Sequence, residues 1–360
     1  MSELSDIIKV DINRYGSLRI DEFMTLALAH ADHGYYMKQD PFGRGGDFIT
    51  APEISQMFGE MIGAWAADAW LKLGAPNAFA LVECGPGRGT LMADMLRATR
   101  GVAGFHDAAQ VCLVEISPAL REKQKEALQG YDIQWFSGFS DVPDYVPLIV
   151  IGNEFFDALP FRQAVYQGGE WLERVVVLDK NDNLTFSSSR DLIAGSMDSA
   201  VKPRNDDVSE GDIFEFAPER EAFMAALCTR LKAQNGAGLF IDYGHAQSAT
   251  GDTFQAVYRH DYCDVFDHIG DADLTSHVDF GALSQVAGDA GGNVEAIATQ
   301  GDFLRRLGID LRARALAAHA PDKAPDIEKD LQRLIHPDQM GTLFKVMGVS
   351  YGIKQQLGGF

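Results

Sequence analysis

The stretch LVECGPGRGTLMADML places an acid, Glu83, ahead of three alternating glycines, Gly85, Gly87 and Gly89, between an apolar run and a helix-like pattern. Glycine admits backbone angles that other residues avoid and lets a ligand lie against the main chain. The N–H groups left open at a helix start attract a carboxylate or phosphate. Strand, glycine turn and helix together form a nucleotide-type site at the carboxyl edge of a parallel sheet. The same residues also suit a tight strand–helix turn without a ligand, because a glycine-rich turn alone is weakly specific.

The spacing bears on which nucleotide fits. Nicotinamide dinucleotides prefer G-x-G-x-x-G, with an acid about 20 residues later on the ribose. Here the pattern is G-x-G-x-G, an acid precedes it, and the next strand-end acid is Glu115 in VCLVEISP. Two phosphates beside Glu83 would meet like charge, whereas S-adenosylmethionine carries an ammonium and a sulfonium and no phosphate. Glu83 therefore favours S-adenosylmethionine. Glu115 has the reach to accept from both ribose hydroxyls. Ser117 and Pro118 then read as the cap and first position of a helix. Phe139 and Asp141, after a third strand, are weaker candidates for the adenine side, and each also reads as an ordinary loop residue.

On the same edge, VPLIVIGNEFFDALPFRQ ends a strand with Asn153, Glu154 and Asp157. Polar residues directly after an apolar strand favour a functional placement, with helix capping as the alternative. Thr50 and Glu53 in GDFITAPE, Asp242 and Tyr243 at the end of a fifth strand, and His277 in DADLTSHVDF are candidates for the acceptor side. Thr50 or Ser55 equally suits capping the following helix. Asp273 and His277 read as a hydrogen-bonded brace. His245, His260, His268 and His277 show no H-x-x-x-H pair, so no metal site is expected.

The elements that must carry these residues follow from the hydrophobic pattern. Ile20, Phe23, Met24, Ala27 and Leu28, then Ile54 through Trp65, recur at helical spacing. Between them lies a loop with Gly34, Gly43, Gly45 and Gly46, of a length that is uncommon in a compact protein. From Phe79 onward, apolar runs at Phe79–Cys84, Val111–Val114, Ile133–Phe136, Leu148–Ile151 and Gly238–Ile241 alternate with helical patterns. That alternation indicates an α/β, doubly wound, mostly parallel Rossmann-like sheet covered on both faces. A Gly168–Gly169 turn marks a hairpin in the inserted stretch, and Thr342–Tyr351 reads as a last buried strand. The expected segments are an N-terminal helical part with the glycine-rich loop (1–75), a cofactor-binding first part (76–160), an acidic inserted lobe (161–215) and the remainder with an acceptor-side lid (216–360). In 179–215 nine acidic residues face four basic ones.

The chain of 360 residues carries 31 basic and 52 acidic side chains, a formal charge of −21. Such a surface disfavours nucleic acid, whose binding rests on Lys and Arg displacing counterions, and favours cationic partners. No apolar run reaches the ~18 residues a membrane-spanning helix needs. Four cysteines without C-x-x-C spacing suit buried thiols in a reducing compartment. The N-terminus resembles neither a signal nor a transit peptide, so the expected location is cytoplasmic.

The segments GDFITAPEISQMFGE, VECGPGRGTL, LVEISPALREKQ, NEFFDALPFRQ, IDYGH and GDADLTSHVDF, in that order, resemble the MidA-type family of class I S-adenosylmethionine-dependent methyltransferases. The likeness runs from about Gly34 to the C-terminal MGTLFKVMG and is weakest at the insert. Mitochondrial members of that family methylate an arginine of a respiratory complex I subunit during assembly. The resemblance implies a protein-arginine methyltransferase with Glu83, Gly85, Gly87, Gly89 and Glu115 on the cofactor, Asn153 beside them, and Glu154 and Asp157 holding the guanidinium. It implies a protein partner that presents an arginine, with a respiratory-chain subunit as the precedent, and leaves the oligomeric state open. Sequence similarity alone does not carry the mitochondrial substrate over. The competing readings are a nicotinamide-dependent oxidoreductase, a non-catalytic assembly factor that retains cofactor binding, and methyl transfer to another acceptor.

Overall fold

Phe79–Cys84 forms strand β1, and all six of its positions are buried. Such uniform burial requires cover on both faces, which is why the run is apolar at nearly every position instead of at alternate ones. The computed structural model describes residues 2–38, 50–189 and 208–360. It comprises two units, one built from Ile49–Phe156, Met224–Ala246 and Leu283–Phe360, the other from Met1–Phe48, Asp157–Phe223 and Gln247–Ala282. Each unit draws on three separated stretches of chain.

The first unit contains the sheet expected from the alternating pattern. Its remaining main strands are β2 (Ala109–Val114), β3 (Ile133–Phe136), β4 (Leu148–Asn153), β5 (Gly236–His245) and β6 (Phe344–Tyr351). They lie in the order β6-β5-β4-β1-β2-β3. The neighbours are parallel except the antiparallel pair β5–β6. The chain leaves β1 toward β2 while β4 lies on the opposite side. The crevice outside the carboxyl ends of β1 and β4 is thus the topological switch point, where open α/β sheets bind ligands.

Three helices of this unit matter for the site: α1 (Gln56–Lys72), α2 (Thr90–Ala98) and α3 (Pro118–Ala127). Ser55 caps α1 by accepting the Met57 N–H at 3.3 Å. Thr50 instead precedes the short helix Ala51–Ile54, and its side chain makes no capping bond there. Helices α1 and α2 approach closely. A methyl group at Gly59 would sit 2.5 Å from the Asp94 Cβ, and one at Gly63 would sit 3.0 Å from the Met95 Cα. Trp65, Phe58, Phe79 and Phe105 are fully buried in the same core, and each such side chain contributes about 1.5–3 kcal/mol of burial.

The second unit carries a five-stranded antiparallel sheet. Its hairpin joins Arg162–Gln167 to Glu170–Leu178 through Gly168 and Gly169, whose φ angles are +61° and +85°. Positive φ at both turn residues matches the twist of the flanking strands. Helices Glu3–Tyr15 and Ile20–Ala29 pack Leu4, Ile8, Ile12, Phe23 and Met24 into its core. The loop glycines Gly43, Gly45 and Gly46 lie outside the described residues. Among the described residues, no helix is long and apolar enough to cross a membrane.

Candidate active site

Glu83 sits at the end of β1, only 2 % exposed, one residue before the glycine turn. Burial pushes its carboxyl up to about 8, against the pull of the Met92 backbone N–H and with a further push from Glu115. Its Oε2 has no hydrogen-bond partner among the described residues, and neither does Oδ1 of Asn153 at the end of β4. Strands β1 and β4 are adjacent and in register, Cys84 opposite Gly152, so both orphaned acceptors belong to the switch-point crevice. Buried acceptors without donors are costly unless a ligand supplies the donors. Two of them, one a carboxylate, fit an ammonium group and repel a pyrophosphate.

The turn itself has φ of +65°, +52° and +83° at Gly85, Gly87 and Gly89. A side chain is strained in that left-handed region. A Cβ at Gly85 would in addition meet the Phe155 ring at 3.3 Å. Gly89 caps α2, so the open N–H groups of that helix lie just past the turn.

Glu115 ends β2 nearly as buried, at 6 % exposure. Its Oε1 accepts the Ser117 N–H at 2.7 Å and its Oε2 accepts Nε2 of Gln124 at 3.2 Å. A carboxylate oxygen has two acceptor sites, which leaves capacity for the two hydroxyls of a ribose. Burial raises the Glu115 carboxyl, while Ser117, Gln124, Ile116 and Arg121 act to lower it. Phe139 is buried under the Arg230 guanidinium, 4.7 Å from the ring centre, and is a packing residue. Asp141 is exposed at the end of the same short turn, Phe139–Asp141.

Glu154 follows Asn153 and adopts φ +50°, a left-handed backbone at a non-glycine residue. Its Oε1 accepts the Asn153 side-chain amide at 3.0 Å and the Ala51 N–H at 3.3 Å. The described end of the GDFITAPE segment, 50–53, therefore reaches the strand edge through the Ala51 backbone. Glu53 from that segment accepts the Thr90 hydroxyl at 2.6 Å, at the start of α2. Asp242 is 1 % exposed, and its two oxygens accept the N–H groups of Phe156 and Tyr243, both at 3.0 Å. It braces the turn after β4 and so acts through backbone. Tyr243 packs edge-to-face on Phe344, 5.6 Å between ring centres, in the core of the unit.

Asp157 and His277 belong to the other unit. Asp157 is buried, with Oδ1 accepting the Ala158 N–H at 2.8 Å. Asp273 accepts the Tyr36 hydroxyl at 3.1 Å, and burial together with Asp273 and Asp157 pushes that hydroxyl well up. The His277 N–H donates to the Thr253 hydroxyl and its carbonyl accepts from Arg220. Arg220, 3 % exposed, also donates to the carbonyls of Asp157 and Leu159 and to the Ser276 hydroxyl.

An open parallel sheet with a glycine turn and strand-end acids defines the class I methyltransferase architecture. Residues 61–298 match the Methyltransf_28 family of S-adenosyl-L-methionine-dependent methyltransferases, and the chain belongs to that family. It is 34 % identical to the mitochondrial protein arginine methyltransferase NDUFAF7 of Xenopus laevis, over 94 % of this chain and 82 % of that one. The NDUFAF7 protein of Danio rerio is 36 % identical over 93 % of this chain and 83 % of its own. A Burkholderia thailandensis protein crystallised with S-adenosyl-homocysteine superposes with a TM-score of 0.87 at 26 % identity, covering 99 % of this chain and 94 % of that one. The chain is an S-adenosylmethionine-dependent methyltransferase of the MidA/NDUFAF7 type. The nicotinamide reading falls with that result.

Sequence reasoning missed Gln124. Its signal was a polar residue four positions after Leu120, on the only buried face of the otherwise charged helix α3.

Proposed function

We propose that the protein methylates an arginine guanidinium on a protein substrate, with Glu154 as the residue that receives it. The observation that carries this reading is Glu154, a carboxylate aimed from a left-handed backbone at the end of β4, held by Asn153 and the Ala51 N–H. Strained residues persist where surrounding structure fixes them, and they cluster at functional sites. The names of the mitochondrial relatives support arginine as the acceptor, and a respiratory-chain subunit is the substrate to test first.

Glu83, Asn153, the glycine turn and Glu115 hold the cofactor. When bound, S-adenosylmethionine supplies an electrophilic sulfonium methyl. The acceptor keeps its proton at neutral pH, with a pKa above ~12, so both reacting groups are cationic. Glu154 offsets that repulsion by forking onto the guanidinium and fixes the direction of one nitrogen. Orientation then supplies most of the acceleration, and the proton leaves late to a carboxylate oxygen or to water. The proposal includes a reducing, cytoplasmic location, consistent with four cysteines present as thiols.

The test incubates wild type and Glu154→Gln with methyl-labelled S-adenosylmethionine and respiratory-chain subunits, followed by mass spectrometry. Wild type is expected to form methylarginine, and the variant to lose about a hundredfold in rate with S-adenosyl-homocysteine affinity unchanged. Full activity in the variant removes Glu154 from the role. Methyl found only on lysine or an amino terminus refutes arginine, and no incorporation supports a non-catalytic assembly factor.

A further inference from the structure

Gln124 is fully buried on α3, and both its amide oxygen and its amide nitrogen are hydrogen-bonded. Its Oε1 accepts the Trp135 indole N–H at 2.9 Å. Its Nε2 donates to the Gly87 carbonyl at 2.7 Å and to Oε2 of Glu115 at 3.2 Å. An indole nitrogen is only ever a donor, so Trp135 must face the amide oxygen. The amide cannot rotate to present its oxygen to Gly87 or Glu115 without placing two donors against each other and two pairs of acceptors together. Trp135, on β3, thus sets the orientation of Gln124, and Gln124 ties the middle of the glycine turn to the acid at the end of β2. The join is tight, since a Cβ at Gly89 would lie 3.4 Å from the Gln124 Cα.

We infer that Gln124 is a positioning residue for the cofactor ribose. It occupies one acceptor site of Glu115 and so directs the remaining ones at a vicinal diol. Pinning the Gly87 carbonyl holds the turn at a fixed distance from that carboxylate. The inference rests on Glu115 as the ribose-binding acid.

Calorimetry with S-adenosyl-homocysteine and with its 2′-deoxyribose analogue tests it on wild type, Gln124→Leu and Trp135→Phe. Wild type is expected to prefer the ribose ligand. Gln124→Leu leaves Gly87 and Trp135 without partners and is expected to weaken S-adenosyl-homocysteine about tenfold, with the preference over the deoxy analogue collapsing toward one. Trp135→Phe keeps Gln124 but frees its amide, and is expected to reduce the preference in the same direction by a smaller factor. A general loosening would weaken both ligands equally and leave the preference intact, which overturns the inference. If Gln124→Leu does not fold, an unchanged preference in Trp135→Phe overturns it alone. Absence of any preference in wild type would instead remove Glu115 from the ribose, and the inference with it.

Discussion

Oδ2 of Asp242, which lies within β5 and not at the strand end expected from sequence, accepts the backbone N–H of Phe156 at 3.0 Å, while Oδ1 of the same carboxylate accepts the Tyr243 N–H. One buried side chain thus ties the turn after β4 to the neighbouring strand. An amide has a single acceptor oxygen, so Asp242→Asn turns one of these contacts into a clash of donors, and Asp242→Ala leaves both N–H groups unsatisfied. Each variant is expected to lose about 1–3 kcal/mol of stability in urea titration. Turnover should fall in both, because the turn carries Glu154.

The left-handed backbone at Glu154 separates strain from chemistry. Glu154→Ala and Glu154→Gly both delete the carboxylate, so their difference isolates the φ of +50°. Glycine removes a steric cost of about 1–2 kcal/mol, and Glu154→Gly is expected to be the more stable of the two by about 1 kcal/mol. Both are expected to be inactive. Equal midpoints in chemical denaturation would show that the strand edge imposes no strain.

The central strands β1 and β4 were legible in sequence because each is buried on both faces, which leaves an unbroken apolar run at Phe79–Cys84 and Leu148–Ile151. The strand-end acids Glu83 and Glu115 were legible for the same reason, as charges that interrupt such runs. The grouping of the chain was not, because each unit joins three stretches interrupted by segments of the other. Tyr243 and Phe344 meet across the β5–β6 pair, a contact that neither stretch announces by itself. Gln124 and Arg220 escaped notice because a polar residue in a charged helix looks solvated until its burial is seen.

Arg220 makes its contacts with backbone carbonyls of Asp157, Leu159 and His277 and with the Ser276 hydroxyl. A planar guanidinium reaches these in several directions at once, whereas an ammonium is a point donor. Arg220→Lys is expected to lower the melting temperature by several degrees and to raise the KM for the protein acceptor. S-adenosyl-homocysteine affinity should stay within about twofold, since glycine-turn residues lie in the other unit. An unchanged acceptor KM would show that these carbonyls do not shape substrate binding.

Glu83 gives a pH signature with a definite sign. Burial holds its carboxyl at about 8 in the folded chain, against an ordinary value of 4.5. Between those limits the folded state keeps a proton that the unfolded chain has lost, so this group's contribution is complete below 4.5 and is lost as pH rises toward 8. Glu83→Gln lacks that loss, so the ligand-free variant should gain in melting temperature relative to wild type on going from about pH 5 to about pH 8. A cationic group seated against the carboxylate favours its ionised form, so Glu83 should release its proton when cofactor binds. Calorimetry with S-adenosyl-homocysteine at about pH 7, in two buffers of different ionisation heat, should show release approaching one proton for wild type and much less for Glu83→Gln. Equal proton counts in the two proteins would mean that the ammonium does not sit at Glu83, and that its orphaned oxygen is matched by something other than the methyl donor.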